Sequence, residues 1–274
     1  MAHLLNRLRS VSGLLAAASS KKAQLTALSK ALEDRDKQIV WLERLVTALL
    51  VEQRGFCLMP PAALRLHVGA RDSPANFWNQ GRESSARVVE IFGEAPEGRI
   101  LDWGCGSGRT LYWLCAHPAW REAYRGCDVD SEAIAWLRKR QGFKSVTTCG
   151  DDPPLPYQDA EFSGLFCFSV LTHIHPLRHA DWFAEIHRVL KPGGRAYLTL
   201  NGPGLAGDPR LFTAAERADF QRQGWLMAER EGHYKGAAVV ARDFTLGGLE
   251  GLFEIELHRE AGYHQLDDLI VRKV

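Results

Sequence analysis

The chain has 274 residues, 46% hydrophobic and 24% charged, with a formal net charge of +1. This is enough for one α/β domain plus extra segments, and the balance supplies no global field that would draw the molecule onto nucleic acid. No apolar run approaches the roughly 18 residues that a membrane-spanning helix needs. The six cysteines (Cys57, Cys105, Cys115, Cys127, Cys149 and Cys167) include no C-x-x-C pair, which argues against zinc ribbons and thioredoxin-type redox chemistry. Most lie in apolar stretches and read as buried thiols of a reducing compartment, so a cytoplasmic location is expected.

In chain order, the segment before Glu33 contains no acidic residue but carries Arg7, Arg9, Lys21, Lys22 and Lys30. Leu4, Leu8, Val11 and Leu15 share a helical face there. A membrane-surface helix that would make the protein peripheral to a membrane, a targeting sequence and a loosely ordered lead-in are all open. From Leu25 a seven-residue repeat places Leu25, Leu32, Ile39 and Val46 at one core position and Leu28, Leu42 and Leu49 at the other, with Arg35 as its one break. The stripe predicts a coiled coil, and with it a homodimer through residues 22–52. Leu45 and Leu50 widen the apolar face, which keeps a helix packed on its own domain as the alternative. Pro60–Pro61 cannot continue a helix, so the chain divides into a helical or coiled-coil segment, 1–59, and a domain, 60–274.

Past the prolines, short apolar runs alternate with amphipathic helices. Strands are expected at Arg99–Trp103, Tyr124–Asp128, Ser145–Thr148, Leu165–Val170 and Arg195–Leu200, and helices at Ser107–Ala116, Ser131–Gln141 and Leu177–Leu190. The alternation predicts a doubly wound, mostly parallel sheet with helices on both faces. The helix after Asp130 has Glu132 near its start, Arg138-Lys139-Arg140 at its end and Gly142 beyond, as the helix dipole and capping preferences favour. The later helix buries Trp182, Phe183, Ile186, Val189 and Leu190 and ends at Lys191-Pro192-Gly193-Gly194.

The chemistry concentrates in Ile100-Leu101-Asp102-Trp103-Gly104-Cys105-Gly106-Ser107-Gly108-Arg109-Thr110. A strand runs into a glycine loop that opens a helix, so backbone can approach a ligand closely. A dinucleotide fingerprint would need glycine where Arg109 stands. Asp102 would repel a pyrophosphate and favours an ammonium group. No Lys-Ser or Lys-Thr follows, which excludes a phosphate-cradling NTPase loop. Asp128, closing the second strand, can accept hydrogen bonds from both ribose hydroxyls of a nucleoside, and Asp151 and Asp152 close the third. Three acids at one sheet edge suit a positively charged nucleoside without phosphate, which is the chemistry of S-adenosylmethionine (SAM).

These stretches resemble the class I SAM-dependent methyltransferases over roughly Phe77 to the C-terminus. ILDWGCGSGRT resembles that family's first motif, RGCDVDSEAI its ribose-binding strand end and GDDPPLPYQDAEF its adenine-side loop. LFCFSVLTHI resembles its fourth strand, and EIHRVLKPGGRAYLTL its fifth helix and strand. The resemblance implies a seven-stranded Rossmann-like sheet and SAM as cofactor. It places the methionine end at Asp102 and Gly104, the ribose at Asp128 and the adenine amino group at Asp151 or Asp152. Cys105, Gly106 and Val129 belong to the same cofactor site. Ser163 stands where the family often has Asp, a departure expected to affect local packing more than cofactor binding. Phe77-Trp78-Asn79-Gln80-Gly81-Arg82 and the last segment, Gly262–Lys273, resemble bacterial methyltransferases associated with surface glycans. They point to a glycan or other small-molecule hydroxyl as acceptor, and no basic–aromatic stripe suggests nucleic acid.

A hydroxyl acceptor must lose a proton, and His173, following the fourth strand, is the first candidate base. A histidine that merely holds the strand–loop turn is the structural alternative; His175 and His233 are further candidates for the base. His173, His175, His179 and His187 do not have metal-ligand spacing. Residues 201–242, irregular and glycine-rich, are expected to carry acceptor loops. Two other readings stay open: a coiled-coil scaffold with a non-catalytic SAM-binding domain, and an NAD-dependent oxidoreductase, against which Asp102 and Arg109 count.

Overall fold

The computed structural model describes residues 59–67, 74–140, 142–228 and 236–274. The predicted coiled-coil segment, the basic lead-in, Cys57 and His233 lie outside the described residues. Two helices, α1 (Ala62–His67) and α2 (Pro74–Phe92), precede the sheet. Then follow β1 (Ile100–Trp103), α3 (Leu111–Leu114), α4 (Pro118–Ala123), β2 (Tyr124–Asp128), α5 (Ser131–Arg140), β3 (Val146–Thr148) and β4 (Phe162–Cys167). The helix α6 (His179–Val189) leads into β5 (Leu190–Leu200).

Sheet order is β3-β2-β1-β4-β5 and then two strands from late in the chain, β9 (Leu266–Lys273) and β8 (Phe253–Tyr263). The first five are parallel, which requires a crossover between each pair and covers the sheet on both faces. β1 is buried along its whole length. Its Trp103 stacks on Trp182 of α6 with ring centroids 4.5 Å apart. Around that contact Leu101, Leu165, Phe183, Ile186 and Leu198 build the main core. After β3 the chain returns to the other side of β1, so strand order reverses between β1 and β4. A crevice opens outside the carboxyl ends of the strands at such a point.

The sequence places β2 and α5 within a residue of their observed bounds, and three other boundaries move. The helix expected from Ser107 begins only at Leu111. Gly104, Gly106 and Gly108 take φ of +82°, +52° and +89°, values that no right-handed helix contains. β4 runs over Phe162–Cys167, three residues earlier than expected. Ser169, at φ +61°, turns the chain out of the sheet into a short 3-10 turn, Leu171–His173. β5 starts at Leu190, and Lys191-Pro192-Gly193-Gly194 forms a bulge, the pairing stepping from Phe162↔Leu190 to Gly164↔Arg195.

The stretch read as irregular acceptor loops is largely ordered. It contains α7 (Pro203–Ala206), α8 (Ala214–Gln223) and an antiparallel pair, β6 (Trp225–Ala228) and β7 (Ala237–Val240). Phe212, Phe220, Leu226 and Val239 give it a core of its own. Thr213 and Glu216 cap α8 reciprocally, a capping box that marks the helix start in the sequence. After α9 (Arg242–Leu249), the hairpin β8 (Phe253–Tyr263) and β9 (Leu266–Lys273) completes the sheet; the last strand therefore starts at Leu266, not Gly262. Fully buried Asp268 of β9 accepts hydrogen bonds from Tyr197 Oη and Arg87 Nη2, both at 3.1 Å, and from Arg259. These bonds fix the hairpin against β5 and α2.

Gly81 explains how α2 lies so close to the glycine loop. A methyl group there would stand 2.3 Å from the Arg109 carbonyl oxygen and 2.9 Å from the Trp113 ring. Gly81→Ala gains helix propensity of roughly 1 kcal/mol, but overpacking against fixed backbone costs about 1–3 kcal/mol. The expected result is a lower melting temperature by thermal unfolding. A variant that melts with or above the parent would show that α2 can withdraw freely.

Candidate active site

The crevice at the strand switch holds a cavity of about 500 Å³. One wall is the glycine loop. Gly104 lies against Val170, whose Cγ2 would be 2.3 Å from an added Cβ. The Gly104 and Cys105 amides donate to the Cys127 carbonyl at 2.8 and 3.0 Å, pinning the loop to β2. Gly106 N–H donates to Asp128 Oδ2 at 2.7 Å, while Asp130 N–H donates to Asp128 Oδ1 at 2.8 Å. Asp128 therefore ties the loop to its own strand end. Burial raises its carboxyl above the usual range, and the backbone N–H bonds act against that.

Asp102 is only 3% exposed yet borders the cavity. Tyr124 Oη donates to its Oδ2 at 2.6 Å. The bond crosses above Gly126, the residue paired with Asp102 on β2, where a side chain would stand 3.0 Å from both Tyr124 Oη and Cys105 Sγ. Burial pushes the Asp102 carboxyl up to about 7, against the Tyr124 hydrogen bond. A buried carboxyl of this kind is built to meet a cation.

All the predicted cofactor residues border this one cavity: Asp102, Gly104, Cys105, Gly106, Asp128, Val129, Asp151 and Asp152. Asp152 is ion-paired, its Oδ1 2.9 Å from Arg178 Nη1, and Arg178 also holds Asp181 at 2.9 Å. Asp130 Oδ1 accepts from the amides of Glu132 and Ala133, each at 3.0 Å, and so caps α5. Ser163 does not border the cavity; its Oγ would stand 2.2 Å from a Cβ at Gly98.

His173 also borders the cavity, as do Phe168, Ile174, Tyr263, His264 and Leu266. Its Nδ1 lies 3.1 Å from the Gly236 carbonyl oxygen, at the start of β7. A carbonyl can only accept, so Nδ1 carries a proton and, in the neutral ring, Nε2 bears the lone pair. His175 also borders the cavity, but its Nδ1 accepts from Leu177 N–H at 3.3 Å and its ring meets Trp225 edge-on. His179 is buried, with Nε2 3.1 Å from the Leu171 and Ile174 carbonyl oxygens, and burial lowers its pKa. His187 packs against Phe253, away from the cavity. Among the described residues no three His, Cys, Asp or Glu side chains form a metal site, and no helix is long and apolar enough to cross a membrane.

The sequence reading missed Tyr124, Gln80, Phe168, Tyr263, His264 and Leu266 as parts of the site. Only Tyr124 left a signal, a tyrosine two residues before the glycine that pairs with Asp102. Phe168 directly follows β4, and the others come from α2 and the β8–β9 tip, brought in by topology. There His264 Nε2 meets Glu83 Oε2 at 2.9 Å, closing the hairpin tip onto α2.

The sheet order, the switch-point cavity and the acid-flanked glycine loop together define a Rossmann-like methyltransferase fold. Residues 100–194 match the family model described as a methyltransferase domain, which identifies that stretch as such a domain. The chain is 30% identical, over 69% of its length, to a 24-methylenesterol C-methyltransferase of Oryza sativa subsp. japonica, 47% of which is covered. It is 32% identical, over 45% of its length, to a malonyl-[acyl-carrier protein] O-methyltransferase of Herminiimonas arsenicoxydans, 44% of which is covered. The chain thus spans a little under half the length of these relatives. A SAM-dependent methyltransferase of Methanosarcina mazei shares the fold at a TM-score of 0.52 and 22% identity, over 68% of this chain and 97% of that one.

Proposed function

We propose that this protein is an enzyme that transfers a methyl group from SAM to a hydroxyl of a small molecule, a glycan or another compact acceptor. The observation that carries this reading is a single cavity bordered both by a buried carboxyl at a glycine loop and by a histidine of base-competent tautomer. Asp102 suits the ammonium group of SAM, Asp128 its ribose hydroxyls, and Asp151 or Asp152 its adenine amino group. When bound, the cofactor supplies a methyl group on a sulfonium, an activated leaving group that needs no metal. The chain's own task is then to align the acceptor oxygen and to take its proton, and alignment alone supplies much of the rate. Phe168, Tyr263 and Leu266 offer a largely apolar wall against which a sugar face or a ring system can lie. His173 Nε2 takes the proton as the oxygen attacks.

Both relatives are methyltransferases by name, one acting at carbon and one at oxygen. The favourably set His173 tautomer supports oxygen for this chain. The same reading assigns the catalytic domain to residues 60–274. Calorimetry with S-adenosylhomocysteine and with NAD tests the cofactor. S-adenosylhomocysteine should bind and NAD should not, and Asp128→Ala should weaken its binding by about 1.5–3 kcal/mol for each charge-assisted hydrogen bond lost. Binding of NAD alone would overturn the reading.

A further inference from the structure

His173 is fixed twice, by two parts of the chain that lie 63 residues apart. Its backbone belongs to the 3-10 turn after β4. His173 N–H donates to the Val170 carbonyl oxygen at 2.9 Å, and Thr172 Oγ1 to the Ser169 carbonyl oxygen at 2.6 Å. Ser169 N–H in turn donates to Thr199 Oγ1 of β5 at 2.8 Å. These bonds place the Cα but do not set the rotation of the imidazole about its own torsions. The ring is set from the insert, by the Gly236 carbonyl oxygen 3.1 Å from Nδ1. That carbonyl stands just before β7, and β7 is held on both faces. Val240 belongs to the main core and Val239 to the core of the insert, as alternate residues of a strand point opposite ways. Asn201 Nδ2 donates to the Ala238 carbonyl oxygen at 2.9 Å, and Val240 N–H to the Asn201 carbonyl oxygen at 3.0 Å. The partner strand meets a second histidine: Trp225 of β6 lies edge-on to the His175 ring, centroids 5.0 Å apart. Both histidines border the cavity.

We infer that Gly236 is a positioning residue for the base, so that the insert, and not the Rossmann-like core, completes the proton-accepting site. The inference rests on the reading of His173 as that base. A neutral imidazole in water favours the proton on Nε2, the nitrogen that must present a lone pair to an acceptor hydroxyl. A carbonyl oxygen at Nδ1 reverses the preference and aims Nε2 along one line. A base works only within hydrogen-bond reach of its proton, so the aim matters as much as the tautomer. Glycine is the residue that this place admits. Its φ is +79°, and an added Cβ would stand 2.8 Å from the Ala228 carbonyl oxygen and 3.2 Å from Met227 Cε. A side chain there must push the start of β7 away from β6, and the carbonyl moves with it.

The test begins with nitrogen NMR of the unmodified full chain carrying isotope-labelled histidine, the His173 signals being those that vanish in His173→Asn. In alkaline buffer, where an imidazole is neutral, the ring should carry its proton on Nδ1 and a bare Nε2. A proton on Nε2 overturns the inference, and this measurement needs no glycine variant to fold. Gly236→Ala is then compared with Gly224→Ala. The latter places a similar positive-φ strain, at +75°, at the end of α8 in the same insert, where an added Cβ meets nothing nearer than Ala241 Cβ at 3.7 Å. Both should lower the melting temperature. Only Gly236→Ala should return the ring to mixed tautomers and slow single-turnover methyl transfer by roughly ten- to a hundredfold, the scale of a small misplacement, with S-adenosylhomocysteine affinity unchanged. Equal losses of turnover in the two variants with the tautomer intact overturn the inference, because Gly236 then only stabilises the insert. His173→Asn separates the inference from the reading beneath it. If that variant keeps full turnover, the base assignment fails and this inference with it. If it is slow while Gly236→Ala is fast, the base stands and only the role of Gly236 falls.

Discussion

Replacing His173 by alanine is expected to lower turnover by roughly a hundredfold or more while cofactor affinity stays within a few-fold, the effect of losing a positioned general base. His173 also holds the inserted β6–β7 hairpin through the Gly236 carbonyl oxygen. Alanine would remove that bond as well, so His173→Asn is the sharper variant. Its amide can donate to Gly236 where Nδ1–H did and has no lone pair of imidazole basicity. If His173 is a base, His173→Asn is as slow as alanine and melts close to the parent. If His173 only secures the hairpin, asparagine keeps both turnover and melting temperature, while alanine loses stability. The measurement is single-turnover methyl transfer beside thermal unfolding, with any acceptor found by screening hydroxyl compounds.

The parts of the site that lie within one strand–loop–helix unit were readable from the residues alone. Asp102 before the loop, Gly104 and Gly106 within it and Asp128 at the next strand end follow from local chemistry, and the cavity borders on all of them. What could not be read depends on which distant elements the topology brings together. Gln80 reaches Arg109 because α2 closes on the loop at Gly81. Tyr263 and His264 arrive from a hairpin more than 150 residues beyond the loop, set by the Asp268 anchor on β9. Periodicity also misled where φ decided: the glycine loop has the composition of a helix start, but three positive φ values delay the helix to Leu111. The insert between β5 and α9 looked irregular because its helices are short and α8 buries little beyond Phe220. Its capping box was the one local cue that something ordered begins there.

Cofactor affinity is expected to depend on pH through Asp102. In the protein without ligand its carboxyl stays protonated up to about pH 7, against an ordinary value of 3.8. Between those two values the folded chain keeps a proton that the unfolded chain has released. The unliganded protein should therefore lose stability as pH rises through this window and level off above it. Binding of an ammonium group requires the carboxylate, so below pH 7 each binding event must expel that proton. Affinity for S-adenosylhomocysteine should fall close to tenfold per pH unit below about 7, with one proton released per site. Calorimetry in buffers of different ionisation enthalpy counts that proton directly. Asp128 is also raised by burial, but the ribose hydroxyls it would meet carry no charge. The neighbouring Arg109 guanidinium stays protonated across this range, and Tyr124, whose phenol is raised well above its usual value, remains neutral. Asp102→Asn separates the sources, because asparagine can still accept from Tyr124 Oη and cannot ionise. That variant should bind more weakly at pH 8 by roughly ten- to a hundredfold, the value of a hydrogen bond to a charged group, and its affinity should no longer follow pH between 5 and 7. A slope that persists in Asp102→Asn would move the ammonium partner to another residue.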